Sequence, residues 1–218
     1  MISHEVPRCL LKQSRSFNAY DYAFAHLYND PDFHLFYKES VDLGRKVLLD
    51  NSAFELGAGI FDTFGDIIVD LKPTWYVVPD VRHDGPATIA SYEKFIKTFP
   101  DLPGTSICAI QGETFEDLAD CYKFMIEKTA KIAIPFDSKG YDQTLKPWER
   151  RPAFLEKLSQ MPFWKENSLP GISLRQIRNG GHLQSGHGSR RRLALRGRWH
   201  RMQEQYQIDD GQCCQYRP

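Results

Sequence analysis

The chain has 218 residues, 41 % hydrophobic and 13 % aromatic, with 28 basic side chains against 28 acidic ones. That is enough for one sizeable domain with a buried core, and it excludes a wholly disordered chain. The zero formal net charge names no partner. No run approaches the ~18 uninterrupted apolar residues of a membrane span, so a cytoplasmic protein with no membrane partner is expected.

Five cysteines, Cys9, Cys108, Cys121, Cys213 and Cys214, form no C-x-x-C pair and no framework of the secreted type. They read as reduced thiols, and no metal site or cofactor is expected.

Along the chain, short β-branched apolar runs alternate with stretches of helical period, the pattern of parallel βα units. Tyr20, Ala23, Phe24 and Leu27 repeat as i, i+3, i+4, i+7, and Asn29-Asp30-Pro31 follows, which predicts a helix and its stop. Residues 46–50 (K-V-L-L-D) predict a short buried strand. Ile60, Phe61, Phe64, Ile67, Ile68 and Leu71 predict a second helix, closed by Lys72-Pro73. Strand 74–80 (T-W-Y-V-V-P-D) leads to a helix carrying Ile89, Tyr92, Phe95, Ile96 and Phe99. Strand 106–111 (S-I-C-A-I-Q) leads to one carrying Leu118, Cys121, Tyr122 and Met125, with Thr114 and Asp117 resembling a helix-start box. Strand 131–136 (K-I-A-I-P-F) precedes a loop through Lys139-Gly140 and a helix with Phe154, Leu155 and Leu158.

These units define a (β/α) TIM-type barrel domain over residues 1–174, incomplete because a whole eight-unit barrel usually needs ~250 residues. The character changes after Leu174. Nine of the fifteen arginines fall in the last 44 residues, whereas all thirteen lysines lie at or before Lys165. Residues 175–218 read as a basic disordered arm for nucleic acid, a surface extension, or an out-of-frame translation replacing the remaining units.

In such barrels the catalytic groups sit where strands end, because parallel strands aim their last side chains into one mouth. The strands here end in Asp50-Asn51-Ser52, Pro79-Asp80, Gln111-Gly112 and Phe136-Asp137. The plain reading of Asp or Asn at any one of these positions is a turn or a helix cap, which suits Asp137. Polar hydrogen-bonding groups at the ends of four consecutive strands point instead to a shared site. In V-L-L-D-N-S-A-F-E-L-G (47–57), a carboxylate precedes small Ser52 and Ala53 and then Phe54, leaving room for a flat ring. In V-V-P-D-V-R-H-D-G (77–85), Asp80 accepts hydrogen bonds while Arg82 or His83 shapes the loop. In A-I-Q-G-E-T (109–114), Gln111 can donate and accept at once, and Gly112 permits close backbone approach.

At these stretches the sequence resembles the tRNA-guanine transglycosylase superfamily, and more closely its phage-type branch that inserts deazaguanines into DNA. The resemblance covers about residues 45–136 and implies a glycosyltransferase that exchanges guanine for a 7-deazaguanine in DNA or tRNA. It implies that Asp50 is the general acid/base beside the reacting base, that Asp80 contacts the guanine edge, and that Gln111 and Gly112 recognise the base. The family's second aspartate, the nucleophile on the sugar, has no counterpart in a βα unit, and without it very low activity is expected. Asp209 and Asp210 sit in the Arg-rich tail. The zinc motif of the tRNA enzymes is absent, a loss more compatible with the phage-type branch. Two alternatives stand beside this one: a barrel enzyme acting on a phosphorylated metabolite, for which Gly180-Gly181 is a poor anion site, and a non-enzymatic nucleic-acid binder using the six arginines and Trp199 of residues 189–201.

Overall fold

The computed structural model describes residues 3, 6–56, 61–135 and 138–165, with the backbone alone at Phe54 and Leu56. The expectations for Asp137 and for the tail, 175–218, lie outside the described residues. After a 3-10 turn at Arg8–Leu10, the elements run α1 (Leu11–Ser14), β1 (Asp21–Phe24), α2 (Pro31–Asp42), β2 (Val47–Asp50), α3 (Ala53–Leu56) and α4 (Phe61–Leu71). They continue with β3 (Trp75–Val77), α5 (Gly85–Thr98), β4 (Thr105–Ala109), α6 (Phe115–Met125), β5 (Ile132–Ala133) and α7 (Pro147–Leu158). Among the described residues no helix is long and apolar enough to cross a membrane.

The first unit differs from the sequence expectation. Residues 21–24 form an edge strand, not a helix, and Leu27 belongs to a 3-10 turn, Ala25–Leu27. Four residues are too few for periodicity to separate strand from helix. Parallel pairing with β2, from Asp21↔Val47 to Phe24↔Asp50, decides between them. Asn29-Asp30-Pro31 is likewise a helix start and not a stop. The Asp30 carboxylate accepts the backbone N–H of Asp32 (3.0 Å) and of Phe33 (3.4 Å), and Pro31 occupies the first turn, where its missing N–H leaves no bond unmade. The four helices α4 to α7 fall where their periodicity places them, whereas α1 and α3 were not expected. Thr114 and Asp117 form the reciprocal cap of α6.

All five strands are parallel and lie in the order β1-β2-β3-β4-β5. Each crossover therefore steps in the same direction, and right-handed crossovers then put every helix on one face. The core bears this out. Ala23, Val47, Leu49, Tyr76, Cys108 and Ile132 pack with Tyr37, Phe64, Ile68, Phe95, Leu118, Tyr122 and Leu158 in one cluster. The other face carries Tyr22, Leu48, Trp75, Val77 and Ile107, whose registers alternate with the core positions. Sequential order is the order of a barrel wall, whereas a doubly wound sheet reverses direction at a switch point. The described strands stop at an open five-stranded sheet with β1 and β5 at its edges, so a closed barrel is not formed by these residues.

Cys108 and Cys121 are free and buried, and burial pushes both thiols up, to about 12 and about 11. Cys9 is disulfide-bonded, which departs from the reading of all five cysteines as reduced.

Candidate functional site

The C-terminal ends of β2, β3 and β4 meet at one rim of the sheet. Strand alternation sends Leu49 into the core and Asp50 to the opposite face. Tyr22 shares that face, because it pairs in register with Leu48. Its hydroxyl donates to Asp50 Oδ2 (2.8 Å), while the backbone N–H of Ser52 donates to Oδ1 (2.8 Å). Asn51, buried, makes the same i to i+2 turn by accepting the Ala53 N–H at 2.8 Å, and so opens α3. Its amide also donates to the Val78 carbonyl (2.9 Å) and to Asp80 Oδ1 (2.7 Å), tying the end of β2 to the end of β3.

Asp80 is the centre of the arrangement. Its second oxygen accepts the Gln111 Nε2 amide at 2.5 Å, and Gln111 Oε1 in turn accepts the His83 backbone N–H at 3.1 Å. His83 adopts a left-handed conformation (φ 64°) that turns this N–H inward. The side-chain Nδ1 of His83 is buried without a hydrogen-bond partner among the described residues. Burial raises the pKa of Asp80 above the ordinary carboxylate value. The amide hydrogen bonds from Asn51 and Gln111 oppose that rise, and the neighbouring Asp50 charge adds to it. Among the described residues Asp80 thus has neutral donors only and a second acid beside it, with no cation against either oxygen.

Two cavities border this rim. One of about 290 Å³ lies against Asn51, Ala53, Phe61, Asp80, Ala87 and Lys94, between the starts of α4 and α5. The other, about 420 Å³, is lined by Arg82, His83, Asp84, Glu113 and Asp117. The second falls within the range for small-molecule pockets, roughly 300–1,000 Å³, and the first lies at its lower edge. Among the described residues there is no group of three or more His, Cys, Asp or Glu side chains placed to hold a metal.

The structure brings Asp80 and Gln111 into direct contact and sets Asp50 beside them through Asn51. Ser52 departs from the expectation of an open ligand contact. It is fully buried at 0 % exposure, and its hydroxyl lies 2.8 Å from His26 Nδ1, so it faces the protein and not the mouth. Gly112 has a packing reason for its missing side chain, since a Cβ there would lie 2.6 Å from Asp117 Cβ and 2.8 Å from the Leu118 nitrogen. Gly85, likewise, lets the start of α5 pass close to the Gln111 carbonyl, 2.9 Å from where a Cβ would stand. The side chain of Phe54 lies outside the described residues.

Sequence reasoning missed three members of the cluster. Asn51 was named at the strand end but given no role, and its place directly after Asp50 was the available signal. Tyr22 and His26 were hidden by the misread first unit. The chain matches no protein-family model and no curated protein with which it was compared.

Proposed function

We propose that this chain recognises a guanine-type base at the rim formed by Asp50, Asp80 and Gln111, and that its chemistry is the exchange of guanine for a 7-deazaguanine in DNA or tRNA. The sheet is then one arc of a (β/α) barrel wall. The observation that carries the reading is the placement of Asp80 between two amides, with Asp50 alongside, at the ends of adjacent parallel strands.

Guanine presents two adjacent N–H donors on one edge and a carbonyl acceptor beside them. A carboxylate offers about four lone-pair sites, and Asn51 and Gln111 use one each. Asp80 therefore retains acceptor capacity for the two donors of the base, while an amide such as Gln111 can serve the carbonyl. A base lacking those donors leaves a half-buried carboxylate short of partners, which is the strongest available source of discrimination.

Base exchange needs a carboxylate oxygen to bond the sugar anomeric carbon as the bond to the purine nitrogen breaks, its electron pair leaving with the base. Asp50 supplies the proton to the departing base and recovers one from the incoming base, whose nitrogen then displaces the carboxylate. Asp209 and Asp210 lie outside the described residues, and the reading assigns no nucleophile.

The test is incorporation of labelled guanine into DNA and into tRNA. Labelling of either by the wild type supports the reading and a nucleophile elsewhere in the chain, and Asp50→Asn should then slow that exchange by roughly 100-fold or more, as expected for loss of a general acid/base. Failure of the wild type to label either would end the reading.

A further inference from the structure

His26 and Ser52 form a contact that the base-recognition chemistry does not use. Ser52 follows β2 with φ 54°, a left-handed conformation uncommon for any residue but glycine. Its hydroxyl is buried and meets a single residue on both sides. The His26 backbone N–H donates to Oγ at 3.2 Å, and the His26 ring nitrogen Nδ1 lies 2.8 Å away. A buried hydroxyl has one proton to place, and His26 Nδ1 is the acceptor beside it. Ser52 Oγ is thus placed to donate to Nδ1 while accepting from the N–H. Glu55 Oε2, 3.9 Å from Nδ1, is beyond hydrogen-bond reach. The imidazole is packed against Phe24 with ring centroids 5.4 Å apart.

This double contact joins the loop after β1 to the loop after β2. It holds Ser52 in the backbone conformation that aims its N–H at Asp50 Oδ1, while Tyr22, on the same edge strand, holds Oδ2. The geometry points to His26 as a positioning residue for Asp50: it acts through Ser52 to present the carboxylate to a base bound at Asp80 and Gln111. The inference rests on the base-exchange reading for its consequence, though not for its geometry. Loss of the clasp leaves the base-binding groups in place and misdirects the acid, so the effect falls on turnover and not on binding.

Two measurements test it. In the exchange assay, His26→Ala should lower kcat by roughly 10–100-fold, the scale of a misplaced catalytic group, with KM for guanine unchanged. His26→Asn keeps an acceptor near the Nδ1 position and should restore most of the rate. Wild-type kcat in His26→Ala, or a raised KM at unchanged kcat, would overturn the assignment. The second readout needs no activity: in the carboxyl carbon-13 NMR spectrum, the Asp50 signal, identified by its loss in Asp50→Asn, should move in His26→Ala and return in His26→Asn. An Asp50 signal that does not move in His26→Ala overturns the inference. If the wild type shows no exchange while the signal moves as expected, the base-exchange reading falls and the positioning of Asp50 by His26 stands.

Discussion

Two aspartates, one buried and one half-buried, sit at opposite ends of the sheet, and the protein treats them differently. Asp21 opens β1 with a fully buried side chain, and Arg45 meets it with two parallel hydrogen bonds, Nε to Oδ2 at 2.7 Å and Nη2 to Oδ1 at 3.0 Å. The hydrogen bond to Asp21 is the main reason the Arg45 guanidinium holds its proton even more firmly than usual. Asp80, at the other end, has two neutral amides and an acidic neighbour. A buried carboxylate closed by a guanidinium is complete, and its use is to fix β1 against β2. One closed by amides retains unspent acceptor capacity and an unbalanced charge, which a ligand with paired donors can satisfy.

The sharpest way to break this contrast is to remove the cation. Arg45→Met leaves Asp21 buried and unpaired, and urea unfolding should show a loss of about 3–5 kcal/mol. A loss below about 1 kcal/mol would mean that Asp21 is not the structural acid described.

The matching change at the other end should separate binding from stability. Asp80→Asn should weaken guanine binding by roughly 10–100-fold in calorimetry, the scale of a hydrogen-bonded charge lost from a ligand site. Its unfolding free energy at neutral pH should stay within about 1 kcal/mol of wild type, because the lost acceptor is offset by removal of an unfavourable buried charge. A large drop in stability without a change in binding would make Asp80 a structural acid like Asp21.

The pH dependence sharpens the same point. The folded-state pKa of Asp80 is raised above its unfolded value near 3.8, so the native state holds the Asp80 proton more tightly than the unfolded state does. The contribution is fully present below 3.8 and is lost as pH rises through the folded value. Urea midpoints measured from roughly pH 4 upward should therefore shift in favour of Asp80→Asn relative to wild type, then level off. A constant difference across that window would mean that burial does not perturb this carboxyl.

The smallest effect belongs to a third acid, Asp117, whose hydrogen bonds serve only the start of its own helix. Thr114→Ala, which removes the reciprocal half of that cap, should cost about 1 kcal/mol in urea unfolding and leave guanine binding unchanged. Weakened binding would tie this cap to the site after all.

Much of the rim was legible because its signals are local. Asp50, Asp80 and Gln111 each close a run of apolar residues, and the alternation of a strand tells which side such a residue takes. The Thr114–Asp117 cap is readable for the same reason, since both its hydrogen bonds span three residues. Phe154, Leu155 and Leu158 showed their helical period and are buried as it implies.

The first unit was not legible, because the same few residues satisfy two local patterns. Tyr20, Ala23, Phe24 and Leu27 fit a helix, and Asp30-Pro31 can end one helix or begin another. Pairing with β2, some 26 residues away in the chain, selects strand for 21–24. With that error went Tyr22 and His26, whose partners Asp50 and Ser52 lie 28 and 26 residues further on. Ser52 shows the same limit from the other side: its small size was readable, but which way its hydroxyl turns depends on the imidazole delivered by a neighbouring strand.

Alone, the sequence determined roughly where four of the five strands lie, which polar groups follow them and which of the later helices carry a packed face, because those properties are written within a turn or two of chain. Tertiary structure decided that all five strands run in one sequential sheet, that Asp80 is held by amides where Asp21 is held by arginine, and that His26 reaches Ser52. Each of these depends on hydrogen bonds between segments that only the folded sheet brings together.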